Sequence, residues 1–221
     1  MQPGLLTVLF DMDGLLVDTE PQWFEAETET ARWLGLRWTP EDQRALLGSN
    51  LPFAADYMVA ASGSDVPLGD VMAHLRSAMT RRLVSDGVTL RPGAAALVES
   101  LIDEGIPLGL VTSSVREHVD VVVRMLPDDA FEVTVTADDV TRLKPHPQPY
   151  LQALGALGAA PTSTVVLEDS PTGVASAEAA GCRVVAVPSV ADIPAAPGRH
   201  VTASLTNVDT ALLRRLVATR S

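Results

Sequence analysis

Residues 6–23 read LTVLFDMDGLLVDTEPQW, a short apolar run followed by three closely spaced aspartates. The stretch opens with an uninterrupted apolar run, which is typical of a strand buried on both faces of a parallel sheet. Asp11 and Asp13 follow at once, and in an extended segment they point to the same side. Gly14 then permits a sharp turn of the backbone. Because crowded carboxylates repel, Asp11, Asp13 and Asp18 must either all be solvated or be neutralised by a cation.

Four later apolar runs resemble the first one and predict further buried strands. They are Leu108–Thr112, Thr164–Leu167, Arg183–Val187 and the weaker Val133–Thr136. Segments with helical spacing lie between them, and Ser114–Glu117 fits a capping box that opens one of these helices. Residues 188–200 are rich in Pro and Ala and predict a surface loop. Strands that alternate with helices indicate a doubly wound parallel α/β sheet.

Residues 20 to about 87 interrupt this alternation. They carry the apolar spacing of four helices and show no strand pattern. The motif Thr19–Gln22 fits a capping box for the first of these helices. We therefore expect a core domain of residues 1–18 and 88–221 and an inserted all-helical cap domain of residues 19–87.

Composition and charge limit the possible functions. The 221 residues are 47% hydrophobic, which is enough for a sizeable core, and the formal net charge of -12 argues against nucleic acid or an anionic membrane as partner. We interpret the acidic run Glu25, Glu27 and Glu29 as a solvated helix face, and the single Cys182 as a core residue. The apolar runs are too short to span a bilayer, and no basic region precedes the first of them. We therefore expect a cytoplasmic monomer.

Polar side chains follow the predicted strands at the points where the strands end. In an open α/β sheet, ligand sites form beyond the carboxyl ends of the strands, so we expect these groups at one edge. They are Asp11, Asp13, Thr112, Glu168, Asp169 and, from a loop before a helix, Lys144. Carboxylate oxygens suit Mg²⁺, while an ammonium and a hydroxyl group suit an anionic substrate. The sequence therefore predicts a site for a hard cation and an anionic small molecule.

Four motifs at these positions resemble, in order, those of the haloacid dehalogenase superfamily, in the branch with a helical cap inserted after the first motif. They are Asp11-Met-Asp13-Gly14-Leu-Leu-Val-Asp18, Thr112, Lys144-Pro145 and Glu168-Asp169-Ser170. The ordered set is far more specific than a lone DxDG, and it covers essentially the whole chain. The resemblance implies a Rossmann-like core with a cap. It also favours phosphoryl transfer, because the dehalogenases that name the superfamily have no Asp at the position of Asp13.

The resemblance implies a role for each matched acid. Asp11 would attack phosphorus and form an aspartyl-phosphate, and Asp13 would protonate the leaving alkoxide and then deprotonate the attacking water. Mg²⁺ would be held by the Asp11 side chain, the Asp13 backbone carbonyl and Asp169. Glu168 would be either an optional further ligand or a residue that contacts the ligands without contacting the metal.

The resemblance also implies which residues bind the phosphoryl group. Thr112 and Lys144 would contact its oxygens, and Lys144 would offset charge in the transition state. Ser113 and Ser114 would offer backbone N–H donors, although Ser114 is equally expected as a plain N-cap. Gly14 completes this set. The expected partner is a small-molecule phosphate ester, with no nucleic acid and no membrane.

Two other functions stay open from the sequence. A phosphomutase needs a second phosphate site in the cap, but Trp23 and Leu51 stand where members resembling β-phosphoglucomutase place a histidine and an arginine, and Arg44 is the nearest cation. The second alternative is a non-catalytic protein that binds a phosphorylated ligand. The runs Asp18–Pro21 and Lys144–Gln148 look most like the sugar-phosphate phosphatases of this branch. We therefore expect a Mg²⁺-dependent phosphatase.

Overall fold

The computed structural model describes residues 6–218. Within them the chain forms eight strands, which are β1 (Thr7–Phe10), β2 (Val17–Asp18), β3 (Thr89–Leu90), β4 (Leu108–Val111), β5 (Val133–Val135), β6 (Thr164–Glu168), β7 (Arg183–Ala186) and β8 (Arg199–Val201). It also forms nine α-helices in that range, which are α1 (Glu20–Trp33), α2 (Pro40–Leu46), α3 (Leu51–Ser62), α4 (Leu68–Asp86), α5 (Ala94–Asp103), α6 (Arg116–Val122), α7 (Gln148–Leu157), α8 (Pro171–Ala179) and α9 (Thr210–Ala218). The described chain divides into a sheet unit, up to Val17 and from Leu90 onward, and a helical unit, Asp18–Thr89.

The sheet unit is built on six parallel strands in the order β5-β4-β1-β6-β7-β8. β1 lies between β4 and β6, so that Val8 is opposite both Leu108 and Val165. The chain first fills one side of β1 and then the other, which makes β1 the point where the strand order reverses. Ligand sites in such sheets lie beyond the carboxyl ends of the strands at this point. The prediction of a parallel α/β sheet with an inserted helical cap is confirmed.

The edge strand β8 corrects the sequence analysis. Residues 188–200 were expected to be a surface loop, but Arg199–Val201 pairs with β7 and places Val201 opposite Ala186. All three residues of β8 are only half buried. Their sequence, Arg-His-Val, also lacks the continuous apolar run that is typical of the central strands. The neighbouring strand, rather than a local pattern, makes this segment extended.

The core of the sheet unit is apolar and contains the cysteine. Leu9, Val166 and Tyr150 are fully buried in one cluster with Cys182. Burial raises the pKa of the Cys182 thiol to about 12, so the thiol stays protonated at neutral pH. The prediction that Cys182 is a core residue is confirmed.

The helical unit consists of α1 to α4, with α1 and α3 packed against α4. A capping box opens α2, because the Thr39 hydroxyl accepts from the Asp42 N–H and the Asp42 carboxylate accepts from the Thr39 N–H. None of the helices within residues 6–218 is long and apolar enough to cross a bilayer.

The start of α1 differs from the prediction. Thr19 has helical backbone angles rather than the extended ones of a capping residue, and among the described residues its side chain makes no capping hydrogen bond. Asp18 Oδ1 accepts from the Glu20 N–H at 3.3 Å instead. Gln22 Nε2 donates to the Gly87 carbonyl oxygen, at 2.6 Å. The capping box predicted at Thr19–Gln22 is therefore wrong.

Glu27 on α1 also contradicts its interpretation as part of a solvated face. Its side chain is buried, whereas Glu25 is exposed and Glu29 pairs with Arg81 on α4. Burial raises the pKa of the Glu27 carboxyl to about 8, although a hydrogen bond with Gln43 acts in the opposite direction. The helical unit thus contains a carboxyl group that folding favours in its neutral form.

The substitution Glu27→Gln is expected to stabilise the protein at alkaline pH. The pKa of Glu27 is raised from 4.5 to about 8, so its stabilising contribution is complete below pH 4.5 and is lost as the pH rises through about 8. The loss is on the order of 5 kcal/mol, since the pKa of Glu27 is raised by roughly 3.5 units and one unit corresponds to about 1.4 kcal/mol. Urea unfolding from acid to alkaline pH measures it. Glu25→Gln is the exposed control and should follow wild type, and the same pH dependence in all three proteins would contradict the prediction.

Candidate active site

Five of the predicted site residues meet beyond the carboxyl ends of β1, β4 and β6. Asp11 follows β1, Thr112 follows β4, Glu168 ends β6 and Asp169 comes next. Lys144 arrives from the loop before α7. All five side chains are buried. The parallel sheet therefore gathers residues up to 158 positions apart, from 11 to 169, into one polar cluster.

Lys144 lies at the centre of this cluster. Its Nζ donates to Asp11 Oδ1 at 2.5 Å, to Glu168 Oε1 at 2.7 Å and to the Val111 carbonyl oxygen at 2.9 Å. These three bonds use all three N–H groups of the ammonium. Burial would lower the pKa of Lys144, but the charges of Asp11 and Glu168 outweigh it and hold the pKa well above its usual value. Lys144 is therefore a fixed cation.

Glu168 is held by several donors at once. Its Oε1 accepts from Lys144 and from the Tyr150 hydroxyl, the latter at 2.9 Å. Its Oε2 accepts from the backbone N–H groups of Asp169 and Ser170 and from the Ser170 hydroxyl. Five donors leave this carboxylate little capacity for a further partner. Lys144 is the positively charged group among these donors.

Two residues that support Glu168 were missed by the sequence analysis. Tyr150 is fully buried, and its ring centroid lies 4.9 Å from Lys144 Nζ. Gly173 lies so near that a Cβ atom there would be 1.6 Å from Glu168 Oε1. The only sequence signals were a tyrosine six residues after Lys144 and a glycine in the first turn of the helix after Glu168.

The cluster carries more negative than positive charge. Asp11, Glu168 and Asp169 offer carboxylate oxygens that all lie within 4.8 Å of one another, against the single charge of Lys144. Burial raises the pKa of Asp11 well above its usual value, Lys144 opposes the rise, and Glu168 and Asp169 add to it. Burial and the charge of Glu168 raise the pKa of Asp169 to about 7. A buried set of carboxylate oxygens with this excess charge fits a hard divalent cation such as Mg²⁺.

Asp13 points to a different set of partners. Its Oδ2 accepts from the Ser114 hydroxyl at 2.8 Å and from the Thr112 hydroxyl at 3.2 Å. The Thr112 hydroxyl in turn accepts from the Ser114 N–H at 2.9 Å. Ser113 lies between these two residues and is half buried. The Asp13 carboxylate thus accepts from two hydroxyl groups, and its charge contributes to the raised pKa values of Asp11 and Asp169.

Ser114 does not open a helix as predicted. The residue before α6 is Val115, whose side chain is apolar and has no group to cap the helix. The Ser114 hydroxyl is committed to Asp13 instead, because the end of β4 lies beside the end of β1 in the sheet. The capping box predicted at Ser114–Glu117 is therefore wrong.

Gly14 lies against the carboxylate of Asp169. Its φ of 83° falls in the left-handed region, and a Cβ atom there would be 2.0 Å from Asp169 Oδ2. The same Asp169 oxygen accepts a hydrogen bond from the Ser189 hydroxyl. The sequence analysis placed Ser189 in a surface loop and did not single it out. Packing at this corner thus requires a residue without a side chain.

Comparisons with known proteins agree with this fold. A family model described as haloacid dehalogenase-like hydrolase matches residues 8–187. Protein CbbY of Rhodobacter capsulatus is 38% identical over 199 residues, which cover 84% of this chain and 86% of that protein. Hexitol phosphatase A of Escherichia coli (strain K12) is 38% identical over 189 residues, 84% of each chain. The crystal structure of CbbY from Rhodobacter sphaeroides in complex with phosphate matches with a TM-score of 0.83 and 27% identity, covering 92% of this chain and 96% of that chain.

The chain belongs to the haloacid dehalogenase-like hydrolases, since the family model spans most of its length. It is an enzyme of the phosphatase type within that family. The resemblance drawn from the four motifs is confirmed.

Proposed function

We propose that the protein hydrolyses a small phosphate monoester, a sugar phosphate, through an aspartyl-phosphate on Asp11 and with Mg²⁺ as cofactor. The observation that carries this proposal is the buried contact of Asp11 with Lys144, next to Asp169, at the carboxyl ends of the central strands. A carboxylate beside a fixed cation has both the nucleophilic oxygen and the positive charge that phosphoryl transfer needs.

In the first step an Asp11 oxygen attacks phosphorus and the bond from phosphorus to the ester oxygen breaks. Asp13 gives its proton to the departing alkoxide. Lys144 offsets the charge that spreads over the phosphoryl oxygens, and its bond to Asp11 Oδ1 fixes the orientation of the nucleophile. Thr112, Ser113, Ser114 and Gly14 are proposed to surround the phosphoryl group.

In the second step Asp13 takes a proton from water, the water oxygen bonds to phosphorus and the bond to Asp11 breaks. Inorganic phosphate leaves and both aspartates return to their starting states. The hydroxyl groups of Ser114 and Thr112 hold Asp13 at the carboxyl end of β4, and its side chain stays half exposed. That exposure suits a group which must meet both a leaving group and a water molecule.

The buried carboxylate oxygens support a proposed place for the cofactor. Asp11 and Asp169 side chains, with the Asp13 backbone carbonyl, would hold Mg²⁺, which when bound neutralises the carboxylates and the phosphoryl charge. Glu168 already accepts from Lys144, Tyr150 and the turn after β6. We propose that Glu168 serves as the counter-ion of Lys144 rather than as a ligand.

The proposed substrate class rests on the relatives and on the helical unit. One relative is named as a hexitol phosphatase, and a CbbY structure contains phosphate. Arg44, which the sequence offered as the nearest candidate for a second phosphate site, pairs with Glu41 at 2.8 Å and donates to the Pro40 carbonyl oxygen on an exposed helix. Such an exposed pair is weak, so Arg44 gives no specific support for a mutase. We propose that residues 19–87 act as the domain that selects the ester.

A cytoplasmic location and a monomeric state stay predictions.

Phosphate release from a panel of sugar, polyol and nucleotide monophosphates, with Mg²⁺ and with EDTA, tests this function. We expect release from sugar or polyol phosphates that needs Mg²⁺, and poor release from nucleotides. Isomerisation of a sugar phosphate without net release would favour the mutase. Absence of both reactions in folded protein would leave a binding protein.

A further inference from the structure

Ser189 is a polar residue at the candidate active site that the four motifs do not include. Its hydroxyl donates to Asp169 Oδ2, one of the two oxygens of a carboxylate that we propose as a Mg²⁺ ligand. Ser189 lies just after β7, in the segment that the sequence predicts to be a loop. Its contact is with the Asp169 carboxylate itself.

Strand pairing fixes the place of Ser189 relative to Asp169. In the sheet Glu168 lies opposite Ala186, and the Val187 N–H donates to the Glu168 carbonyl oxygen at 2.7 Å. The segments that follow β6 and β7 therefore leave the sheet side by side. Asp169 comes directly after β6, and Ser189 lies three residues after β7. Further along the loop Ile193 is buried in the core of the sheet unit. Both ends of the segment that carries Ser189 are thus anchored.

Gly14 closes the same corner from the β1 side. A Cβ atom at Gly14 would be 2.0 Å from Asp169 Oδ2 and 3.0 Å from Ser189 Oγ. The missing side chain leaves room for the carboxylate and the hydroxyl group side by side. Asp169 is therefore confined between a backbone segment and a single hydroxyl donor.

We propose that Ser189 is a positioning residue for the cation, which binds Asp169 Oδ2 and thereby presents the remaining carboxylate oxygen to Mg²⁺. The inference rests on the proposed function, because it presupposes a Mg²⁺ site at Asp11 and Asp169. Groups that orient metal ligands are commonly worth about 10- to 100-fold in metal affinity. Loss of the hydroxyl group would let the carboxylate rotate, and it would weaken the site without removing a ligand.

Isothermal titration of Mg²⁺ into the full chain measures this effect without turnover. We expect the Kd of Ser189→Ala to rise about 10- to 100-fold over wild type, and Ser189→Thr, which keeps the hydroxyl group, to stay within a few-fold of wild type. Ser163→Ala removes a hydroxyl that donates to the Ala160 carbonyl oxygen elsewhere in the sheet unit, and it should bind Mg²⁺ as wild type does. Thermal unfolding in EDTA checks that each variant is folded.

Kinetics separate positioning from a purely structural effect. In Ser189→Ala the Mg²⁺ concentration for half-maximal phosphate release should rise by the same factor as Kd, while kcat at saturating Mg²⁺ stays near wild type. Equal Kd values for wild type and Ser189→Ala would overturn the inference and leave the proposed function standing. Failure of wild type itself to bind Mg²⁺ would overturn both.

Discussion

Asp11→Asn is expected to lower kcat for phosphate release by about 10⁴-fold or more while the protein stays folded. The amide keeps the shape of the carboxylate but is a very poor nucleophile, and removal of a nucleophile typically costs at least this factor. Lys144 can still pair with Glu168, so the cluster keeps its central ion pair. Initial rates of phosphate release at saturating Mg²⁺ measure the effect.

Stability gives a second readout on the same variant. Burial raises the pKa of Asp11 in the folded protein, so ionising it costs folding free energy as the pH rises above its usual value. Asp11→Asn removes that cost, and in EDTA its thermal midpoint at neutral pH should equal or exceed that of wild type. Asp103→Asn changes the net charge equally at an exposed helix end and should leave the rate unchanged. Normal turnover by Asp11→Asn would rule out the aspartyl-phosphate route.

Lys144→Met is expected to remove activity and also to destabilise the fold by about 3–5 kcal/mol. Asp11 and Glu168 would keep their burial but lose the ammonium that contacts both of them. A buried carboxylate without its partner costs far more than an exposed one. Urea unfolding without Mg²⁺ gives the stability, and phosphate release gives the activity. Arg142→Met, an exposed cation two residues away, is the matched control and should change neither by much.

A double variant separates the two effects of Lys144. Adding Glu168→Gln to Lys144→Met removes one of the stranded charges, and an amide can still accept from the Tyr150 hydroxyl. We expect it to regain much of the lost stability and none of the lost activity. Recovery of activity in the double variant would show that Lys144 serves only to neutralise Glu168.

Much of the sheet and of the site was predictable from local pattern. Central strands are apolar on both faces, so β1, β4, β6 and β7 stand out as uninterrupted runs. Parallel strands bring their carboxyl ends to one edge, and this rule alone predicts that Asp11 and Asp169 lie together. β8 was not predicted, because an edge strand needs no apolar run.

Side-chain partners were predicted less well than positions. Ser114 was expected to open a helix with a capping box, yet its hydroxyl binds Asp13, 101 residues away. Glu27 was placed on a solvated face because glutamates at alternate positions are usually exposed. Its burial in the folded chain reverses that expectation and raises its pKa.

The amino-acid sequence was enough to predict every strand of the sheet except β8, the residues at the ends of the central strands, and hence the expected chemical class of the site. The folded structure was needed to show which donor binds which acceptor: Lys144 binds Glu168 and Asp11, and Ser189 binds Asp169. The reason is the sequence separation over which each feature acts. Burial along a strand leaves a periodic mark in neighbouring residues, whereas a hydrogen bond between distant residues depends on strand register and on the space left by Gly14, neither of which leaves a local pattern.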